Sequence, residues 1–207
     1  MSENSLHNTE TSLTITAAAD AFSSGQVGSK LWLCEQLEPI LASRKSQHDV
    51  AWIYGGWHGV LGFMLLTRAK LAASFKVRSF DVDPTCANVA NTICENWVWR
   101  EWQFRAFTAD CNELNPSEGS DYGPPPTIVI NTSVEHFGGR EWFEKIPAGT
   151  LVVLQASDFE HDGAVSLFAT EEKLADAFPL SEKLYSGKMK FDYGSWSFHR
   201  LMLIGVR

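Results

Sequence analysis

Val50-Ala-Trp-Ile-Tyr-Gly-Gly-Trp-His-Gly-Val-Leu-Gly62 is an apolar run that passes through glycines into a second apolar run. Residues 50–54 have the length and β-rich composition of a strand buried on both faces, and residues 60–71 have the apolar spacing of a helix. The glycines between them can adopt positive φ and let a ligand approach the backbone. Because the helix presents free N–H groups and a partial positive charge at its start, this stretch predicts a site for a nucleotide-like ligand in an open α/β sheet.

The glycine spacing argues against a dinucleotide fingerprint. Glycines occur at positions 55, 56, 59 and 62, so Trp57 occupies the place of the second glycine in G-x-G-x-x-G. Taken alone, the stretch is also compatible with a tight strand-to-helix turn that has no ligand. The order of the elements downstream therefore decides between these interpretations.

Length and composition predict one globular domain. The chain has 207 residues, of which 44% are apolar and 20% charged. We expect a flexible N-terminal segment over 1–20 and a single domain over 21–207. No run approaches the roughly 18 to 20 apolar residues that span a bilayer, and the N-terminus lacks the pattern of a signal peptide, which predicts a cytoplasmic protein without a membrane partner.

Charge and cysteine content narrow the possible ligands. A net charge of −8 disfavours nucleic acid and favours a small-molecule or peptide substrate. The cysteines, at positions 34, 86, 94 and 111, show no C-x-x-C spacing. They are expected to be small buried groups or free thiols, and they imply neither a metal site nor a disulfide framework. The oligomeric state is left open.

A second predicted strand, Lys76 to Val82, ends in acidic residues. Asp83 can cap the next helix, with Pro84 at its first position. Asp81 has no evident structural role, and it lies 22 residues after Gly59. An acidic residue about 20 residues beyond a glycine turn is placed to accept hydrogen bonds from ribose hydroxyls. The alternative is a solvated carboxylate at the end of a strand.

Three further strands and their flanking elements follow. The strands are predicted at 103–108, 127–131 and 150–156, and polar residues after each of them are typical of a binding rim. Helices are predicted at 29–44, with Ser29 as a possible N-cap and Pro39 as a kink or restart, at 140–146, and after a Thr170 cap. The tryptophans at 97, 99 and 102 could stack on bases, although packing a helix or lining a partner interface is favoured.

The C-terminal residues predict an antiparallel hairpin. Residues 183–191 alternate in polarity and residues 198–206 are nearly all apolar, while only residues 192–197 separate the two runs. Parallel neighbours need a crossover of about a dozen residues or more, so these two strands must pair antiparallel around Tyr193-Gly194.

Five strand-helix units followed by this hairpin resemble the class I S-adenosylmethionine-dependent methyltransferases over roughly residues 27 to 207. The resemblance implies a Rossmann-like three-layer α/β sandwich with a seven-stranded, mostly parallel sheet and an antiparallel C-terminal hairpin. It also implies S-adenosyl-L-methionine (SAM) as the cofactor and methyl transfer as the reaction.

The resemblance also assigns cofactor-binding positions. The glycine turn would hold the methionine part of SAM, Asp81 the ribose and Val82 the adenine, with Asp110 and Cys111 contacting the adenine from the third strand. The segment Asn131-Thr-Ser-Val-Glu-His136, with the pattern Asn-x-x-x-Glu-His, resembles the family segment after the fourth strand that lines the cofactor and substrate pocket. The full cofactor-binding set is Tyr54, Gly55, Gly56, Trp57, His58, Gly59, Asp81, Val82, Asp110, Cys111, Asn131 and Ser133.

Two positions depart from the family pattern. Ile53 stands where the family usually has an acidic residue, and Trp57 replaces the central glycine. The indole is expected either to pack beside the cofactor or to narrow the mouth of its site.

Methyl transfer from a sulfonium needs positioning and exclusion of water, and it needs a base only if the nucleophile must lose a proton. His136 is the leading candidate for that base, and Glu135 could orient it or hold a substrate amine. The alternative is that Glu135 starts a helix and His136 packs on the sheet. His58 is expected to touch the cofactor carboxylate or to be solvated. Secondary candidates are Glu160 and His161, whereas His199 is expected to be structural.

Three functional hypotheses follow. The first is a SAM-dependent methyltransferase that acts on a small molecule or a protein side chain. The second is an enzyme that uses a nicotinamide dinucleotide, and the third is a noncatalytic relative whose nucleotide pocket, altered by Trp57, serves assembly or regulation.

Overall fold

A computed structural model describes residues 19–44, 46, 48–68, 75–100, 102–117, 121–160 and 163–207. Nearly all of the segment predicted to be flexible, and the candidate residue His161, lie outside these ranges. The helices are α1 (Ser24–Arg44), α2 (Val60–Leu66), α3 (Pro84–Ile93), α4 (Glu95–Val98), α5 (Glu141–Glu144) and α6 (Glu171–Ala177), with a 3₁₀ turn at Val134–His136. The strands are β1 (Val50–Tyr54), β2 (Lys76–Asp81), β3 (Phe104–Thr108), β4 (Ile128–Asn131), β5 (Leu151–Ser157), β6 (Glu182–Asp192) and β7 (Ser197–Val206).

The strands form one seven-stranded sheet in the order β3-β2-β1-β4-β5-β7-β6. All neighbours from β3 to β5 pair parallel, whereas β7 pairs antiparallel with both β5 and β6. The predicted fold class is therefore confirmed: a mostly parallel α/β sheet with an antiparallel C-terminal hairpin. The chain adds β2 and β3 on one side of β1 and then returns to place β4 on its other side. The connections therefore reverse direction between β1 and β4, and this topological switch point lies at the carboxyl ends of these two strands.

Alternation along β1 divides the core into two layers of side chains. Ala51 and Ile53 join the cluster that packs against α1, α2 and α3. Trp52 and Tyr54 join the cluster on the other face, which includes Trp142 of α5. Because successive side chains of a strand point to opposite faces, one buried apolar strand supplies both halves of a three-layer sandwich.

Helix α1 differs from its prediction at its start and at its proline. It begins at Ser24, and Ser29 is no cap: its hydroxyl donates to the carbonyl of Gln26, 3.1 Å away, inside the helix. Pro39 lies within one continuous helix. An internal proline costs about 3 kcal/mol. The burial of Trp32, Leu33, Cys34, Leu37 and Leu41 on the sheet offsets this cost.

Most other boundaries agree closely with the sequence prediction, whereas the end of α2 differs from it. Strand β1 has the predicted bounds, and Asp83 caps α3 by accepting from the amide of Thr85 at 2.9 Å. The Thr170 cap is also confirmed. Helix α2 ends at Leu66 instead of residue 71, with Thr67 at its C-cap.

The C-terminal hairpin is present and closes at the predicted turn. Phe191 pairs with Phe198, the amide of Tyr193 donates to the carbonyl of Trp196 at 3.0 Å, and Gly194 has a φ of 79°. The bulge between Lys183 and Tyr185 is the one irregularity in the pairing of β6 with β7.

The structure also shows the environment of the cysteines and of the clustered tryptophans. All four cysteines are buried free thiols, and burial raises the pKa of each to about 12. Of the three clustered tryptophans, Trp97 packs on Phe63 of α2 with ring centroids 5.6 Å apart, whereas Trp99 and Trp102 are exposed. None of the helices in the described ranges is long and apolar enough to cross a membrane.

Candidate functional site

A cavity of about 580 Å³ opens at the switch point of the sheet. Its volume lies within the range of about 300 to 1,000 Å³ that is usual for small-molecule sites. The turn after β1, the ends of β2 and β3 and the segment after β4 all line it. Since ligands of open α/β sheets bind outside the carboxyl ends of the strands at such a point, this main cavity is the candidate site.

The glycines of the turn after β1 are required by close packing. A Cβ on Gly56 would lie 1.9 Å from the Ser79 hydroxyl oxygen. Gly59 has a φ of 77°, and a Cβ there would lie 2.9 Å from the Cβ of Ala90 on α3. These glycines bring the turn down onto β2 and α3, so the cavity floor there is backbone.

Trp57, between Gly56 and Gly59, has a backbone conformation that is unusual for its residue type. Its φ is 48°, in the left-handed region that costs a residue with a Cβ roughly 1 to 2 kcal/mol. In this conformation its amide donates to Asp81 Oδ2 at 2.8 Å. The indole stacks on the His58 ring with centroids 5.0 Å apart, and it lines the main cavity without filling it.

Asp81 therefore has the structural role that sequence alone did not reveal. Its Oδ2 accepts the amide of Trp57, and its Oδ1 accepts the amide of Asp83 at 3.0 Å. The two bonds fix the carboxylate at the edge of the cavity. A carboxylate offers about four lone-pair positions, so the two oxygens can still accept hydroxyl donors from a ligand.

Most of the sequence-predicted cofactor residues come together in this cavity. Those that line it are Gly55, Gly56, Trp57, Asp81, Val82, Asp110, Cys111 and Ser133. They derive from four separate loops at one edge of the sheet, as the resemblance implied.

Four of the predicted residues do not line the cavity. Tyr54 is fully buried on the opposite face of the sheet, with its ring 5.9 Å from that of Trp142. The Asn131 side chain turns back to accept the amide of Ser133 at 2.9 Å. Gly59 lies beneath the turn against Ala90. His58 is 3% exposed, so it is not solvated, and its buried ring nitrogens have no hydrogen-bond partner.

Burial also determines the protonation of His58. Desolvation lowers its pKa, against the opposing influence of Asp81 and Asp83, which raise it. The ring is therefore held in its neutral form beneath the turn, where it supports the Trp57 indole.

His136 and Glu135 have different surroundings although they are adjacent in sequence. His136 is exposed, lines the main cavity, and has its Nδ1 2.9 Å from the carbonyl oxygen of Gly163. Glu135 is 2% exposed, and its Oε1 accepts from Arg200 Nη1 at 2.6 Å. The Glu135 carboxylate is thus an internal partner of Arg200.

Glu160 and His199 lie outside the main cavity. Glu160 is exposed, and it lines no part of it. His199 Nδ1 lies 2.7 Å from Asp158 Oδ2, in an ion-pair geometry at the surface of β7.

Helix α1 contributes two cavity residues that the sequence interpretation did not assign. Gln26 and Lys30 both line the main cavity, and Lys30 Nζ donates to Gln26 Oε1 at 2.6 Å. Burial, with a smaller contribution from the charge of Arg200, lowers the pKa of Lys30 to about 8. A signal was present, because Lys30 shares helical spacing with the core residues Leu33, Leu37 and Leu41.

The structure resembles solved methyltransferases. A magnesium protoporphyrin IX methyltransferase from Synechocystis with bound SAM aligns with a TM-score of 0.56 and 14% identity over 87% of this chain and 81% of that chain. An N-methyltransferase from Bradyrhizobium japonicum aligns with a TM-score of 0.61 and 11% identity over 90% and 99%. A geranyl diphosphate methyltransferase in complex with SAM gives a TM-score of 0.59 and 12% identity over 93% and 94%.

The chain has the fold of these methyltransferases. No protein-family model and no curated protein sequence matches it. At these identities the likeness to methyltransferases shows a shared fold, and the chemistry of this chain has to be argued from its own cavity residues.

Proposed function

We propose that the main cavity binds SAM and that the protein transfers the methyl group of SAM to a small molecule or a protein side chain. The observation that carries this proposal is the position of Asp81. Its carboxylate is fixed by two backbone amides at the end of β2, beside the glycine turn and on the edge of the cavity. A carboxylate held in that place suits the two adjacent hydroxyls of a ribose.

The other cavity residues fit the remaining parts of SAM. Val82, exposed at the cavity edge, and Cys111 offer apolar contacts for the adenine, and Asp110 offers an acceptor for its amino group. The amino-acid tail would lie along the backbone at Gly55. There the Lys30 ammonium group, which has a glutamine as its near partner, is available to pair with the carboxylate of the tail.

When bound, SAM supplies a methyl group that is already activated by its sulfonium, so the protein mainly has to position the acceptor in line and exclude water. His136 is suited to take a proton from the acceptor. If Nδ1 donates to the carbonyl of Gly163, the lone pair of the neutral ring is on Nε2, which can act as the base. Glu135 has an indirect role: by pairing with Arg200 it anchors the turn that carries His136.

The first experiment measures cofactor binding by thermal shift with S-adenosylhomocysteine, SAM and NAD. A ligand at 100 times its Kd stabilises the native state by about 2.7 kcal/mol, which for a chain of this size raises Tm by roughly 5 to 10 °C. We expect such a rise with both sulfur nucleotides and none with NAD. A rise with NAD alone would support the dinucleotide hypothesis, and no rise with any of them would support the noncatalytic one.

The second experiment tests the carboxylate itself with Asp81→Asn. An amide provides one acceptor oxygen where the carboxylate provides two, and it loses the charge that strengthens the bonds to the ribose. We expect the Kd for S-adenosylhomocysteine to rise at least about tenfold, measured by isothermal titration calorimetry at a temperature where the variant is folded. The matched control is Asp176→Asn, on the exposed surface of α6, and an equal Kd in both variants would contradict the assignment.

A further inference from the structure

A second cavity of about 350 Å³ adjoins the main one. The two share four lining residues: Gln26, Thr132, Ser133 and His136. Methyl transfer requires the accepting atom to lie about 3 to 3.5 Å from the methyl carbon, so an acceptor has to occupy space that adjoins the cofactor. The second cavity meets this requirement at His136.

Aromatic rings form the outer wall of the second cavity. Tyr193 and Trp196 come from the β6–β7 turn, Phe198 from β7, and Phe159 from the segment after β5. The Tyr193 and Trp196 rings stack with centroids 4.6 Å apart at 15°, and Phe159 lies 5.1 Å from Trp196. These rings therefore form a stacked aromatic cluster, in which the Phe159 ring is inclined to that of Trp196 at 36°.

This aromatic cluster is partly open to solvent. Tyr193 is 40%, Trp196 46% and Phe159 39% exposed. The Tyr193 hydroxyl lies 3.4 Å from that of Ser24, so the turn approaches the first turn of α1 and the cavity lies between them. Large aromatic side chains that are grouped and exposed beside a cavity mark a surface that recognises a ligand.

The charges of the wall disfavour an anionic ligand. Within the described lining, Arg200 is the one permanent cation, and it already binds Glu135 through Nη1 and the carbonyl of Thr132 through Nη2. Asp20 adds a carboxylate. An anion in this cavity would lose its water without gaining a free counter-charge.

We propose that the second cavity is the acceptor site and that its acceptor is a small molecule with a flat aromatic or heteroaromatic ring, an accepting nitrogen or oxygen, and no negative charge. This inference rests on the proposed function and names its substrate class. The ring packs on the exposed part of this aromatic cluster at Trp196, and the accepting atom points toward His136. The methyl carbon forms its bond to that atom as its bond to the sulfur breaks, and the proton of the acceptor passes to His136.

The test is a fragment screen by ligand-observed NMR against the protein saturated with S-adenosylhomocysteine. The library contains fragments of matched size in three groups: planar amines and phenols, planar carboxylates, and saturated-ring amines. We expect binding to concentrate in the first group. Preferred binding of the carboxylates or the saturated rings, or no binding at all, would overturn the inference.

Variants locate the binding and separate it from a folding defect. Trp196→Ala should weaken the planar amines about tenfold, and Trp196→Phe should restore most of the affinity because it keeps a ring. Trp99→Ala, at an exposed tryptophan that lines neither cavity, should change nothing. Equal affinity in Trp196→Ala and in the unmodified protein would mean that the fragments bind outside the second cavity, which would overturn the inference.

Affinity for S-adenosylhomocysteine is measured for each variant in parallel. If the unmodified protein fails to bind it, the proposed function fails. If the protein binds S-adenosylhomocysteine normally while the fragments bind equally well to Trp196→Ala, only the acceptor assignment fails. A peptide with an exposed aromatic side chain, screened in the same way, would overturn the small-molecule assignment if it bound more tightly than every fragment.

Discussion

At the residue scale, the turn after β1 combines a strained backbone with a hydrogen bond to a carboxylate of the cavity. Trp57 has a φ of 48°, and the same backbone conformation directs its amide to Asp81 at 2.8 Å. Neighbouring contacts hold the strained residue, including the His58 ring beneath its indole. Strain maintained in this way at a cavity edge is typical of a backbone that is fixed before its ligand arrives.

This strain predicts an inverted order of stability for two variants of Trp57. At ordinary positions alanine is more stabilising than glycine by roughly 0.5 to 1 kcal/mol. At a positive φ the Cβ of alanine is penalised, so Trp57→Gly should be more stable than Trp57→Ala by about 0.5 kcal/mol or more. Chemical denaturation of the two variants measures the difference directly, since both lose the indole.

Trp99 supplies the matched control. It lies at the end of α4 with a φ of −74° and is exposed, so Trp99→Ala should be more stable than Trp99→Gly. If the alanine variant is the more stable at both positions, the left-handed conformation of Trp57 contributes no strain.

At the scale of elements, α1 supplies a lysine, Lys30, to the wall of the main cavity. Gln155 of β5 donates to the carbonyl of Ser29 at 3.0 Å, which ties the helix to the sheet. The next residue, Lys30, is thereby held 8% exposed in the cavity wall with a pKa lowered to about 8. Its charge is therefore sensitive to pH in a range where an ordinary lysine would stay protonated.

Lys30 predicts a pH dependence for cofactor binding. Below pH 8 the side chain is protonated and can pair with the carboxylate of S-adenosylhomocysteine. As the pH rises through 8 this charge is lost, so the affinity should fall, and the arginine of Lys30→Arg should remove that fall because it stays charged. Calorimetric titrations between pH 6.5 and 9.5 measure both effects, and this range lies below the pKa of an unperturbed lysine, which is about 10.4.

A truncated ligand separates the role of Lys30 from a general structural one. 5′-Methylthioadenosine lacks the amino-acid tail, so its affinity should be the same in the unmodified protein and in Lys30→Met. That variant should weaken S-adenosylhomocysteine about tenfold. An equal loss for both ligands would mean that Lys30 supports the fold of the cavity and makes no contact with the tail.

At the scale of the whole molecule, the Arg200–Glu135 ion pair connects β7 with the turn after β4. Arg200 of β7 reaches past β5 to Glu135, which lies in the turn after β4. The side chains are 14% and 2% exposed. The pair therefore joins the antiparallel end of the sheet to the segment that lines both cavities.

Replacing one partner of this ion pair should lower the free energy of unfolding more than replacing both partners. Arg200→Met leaves the Glu135 carboxylate buried without its cation, and we expect a loss of about 2 to 4 kcal/mol in the free energy of unfolding. The double variant Glu135→Met with Arg200→Met removes both charges and should recover most of that loss. Urea denaturation of the single and double variants measures the coupling, and strictly additive losses would show that the two residues act independently.

The sequence by itself determined the succession of strands along the chain, the glycine turn, the position of Asp81 and the C-terminal hairpin. These features follow from local patterns, because a buried strand, a turn or a cap depends on residues within a few positions of each other. It also placed Gly55, Ser133 and Asp110 at one edge, since the ends of parallel strands share an edge.

Only the tertiary structure decided which side chains enter the cavities. Tyr54 belongs to the core because the two-residue period of β1 turns it to the face covered by α5. Lys30, Arg200 and Trp196 reach the site from the two ends of the chain, and Glu135 is occupied by a partner 65 residues away. Such assignments depend on which strands become neighbours and how helices lie across them, and those choices are made by burying the whole sheet at once.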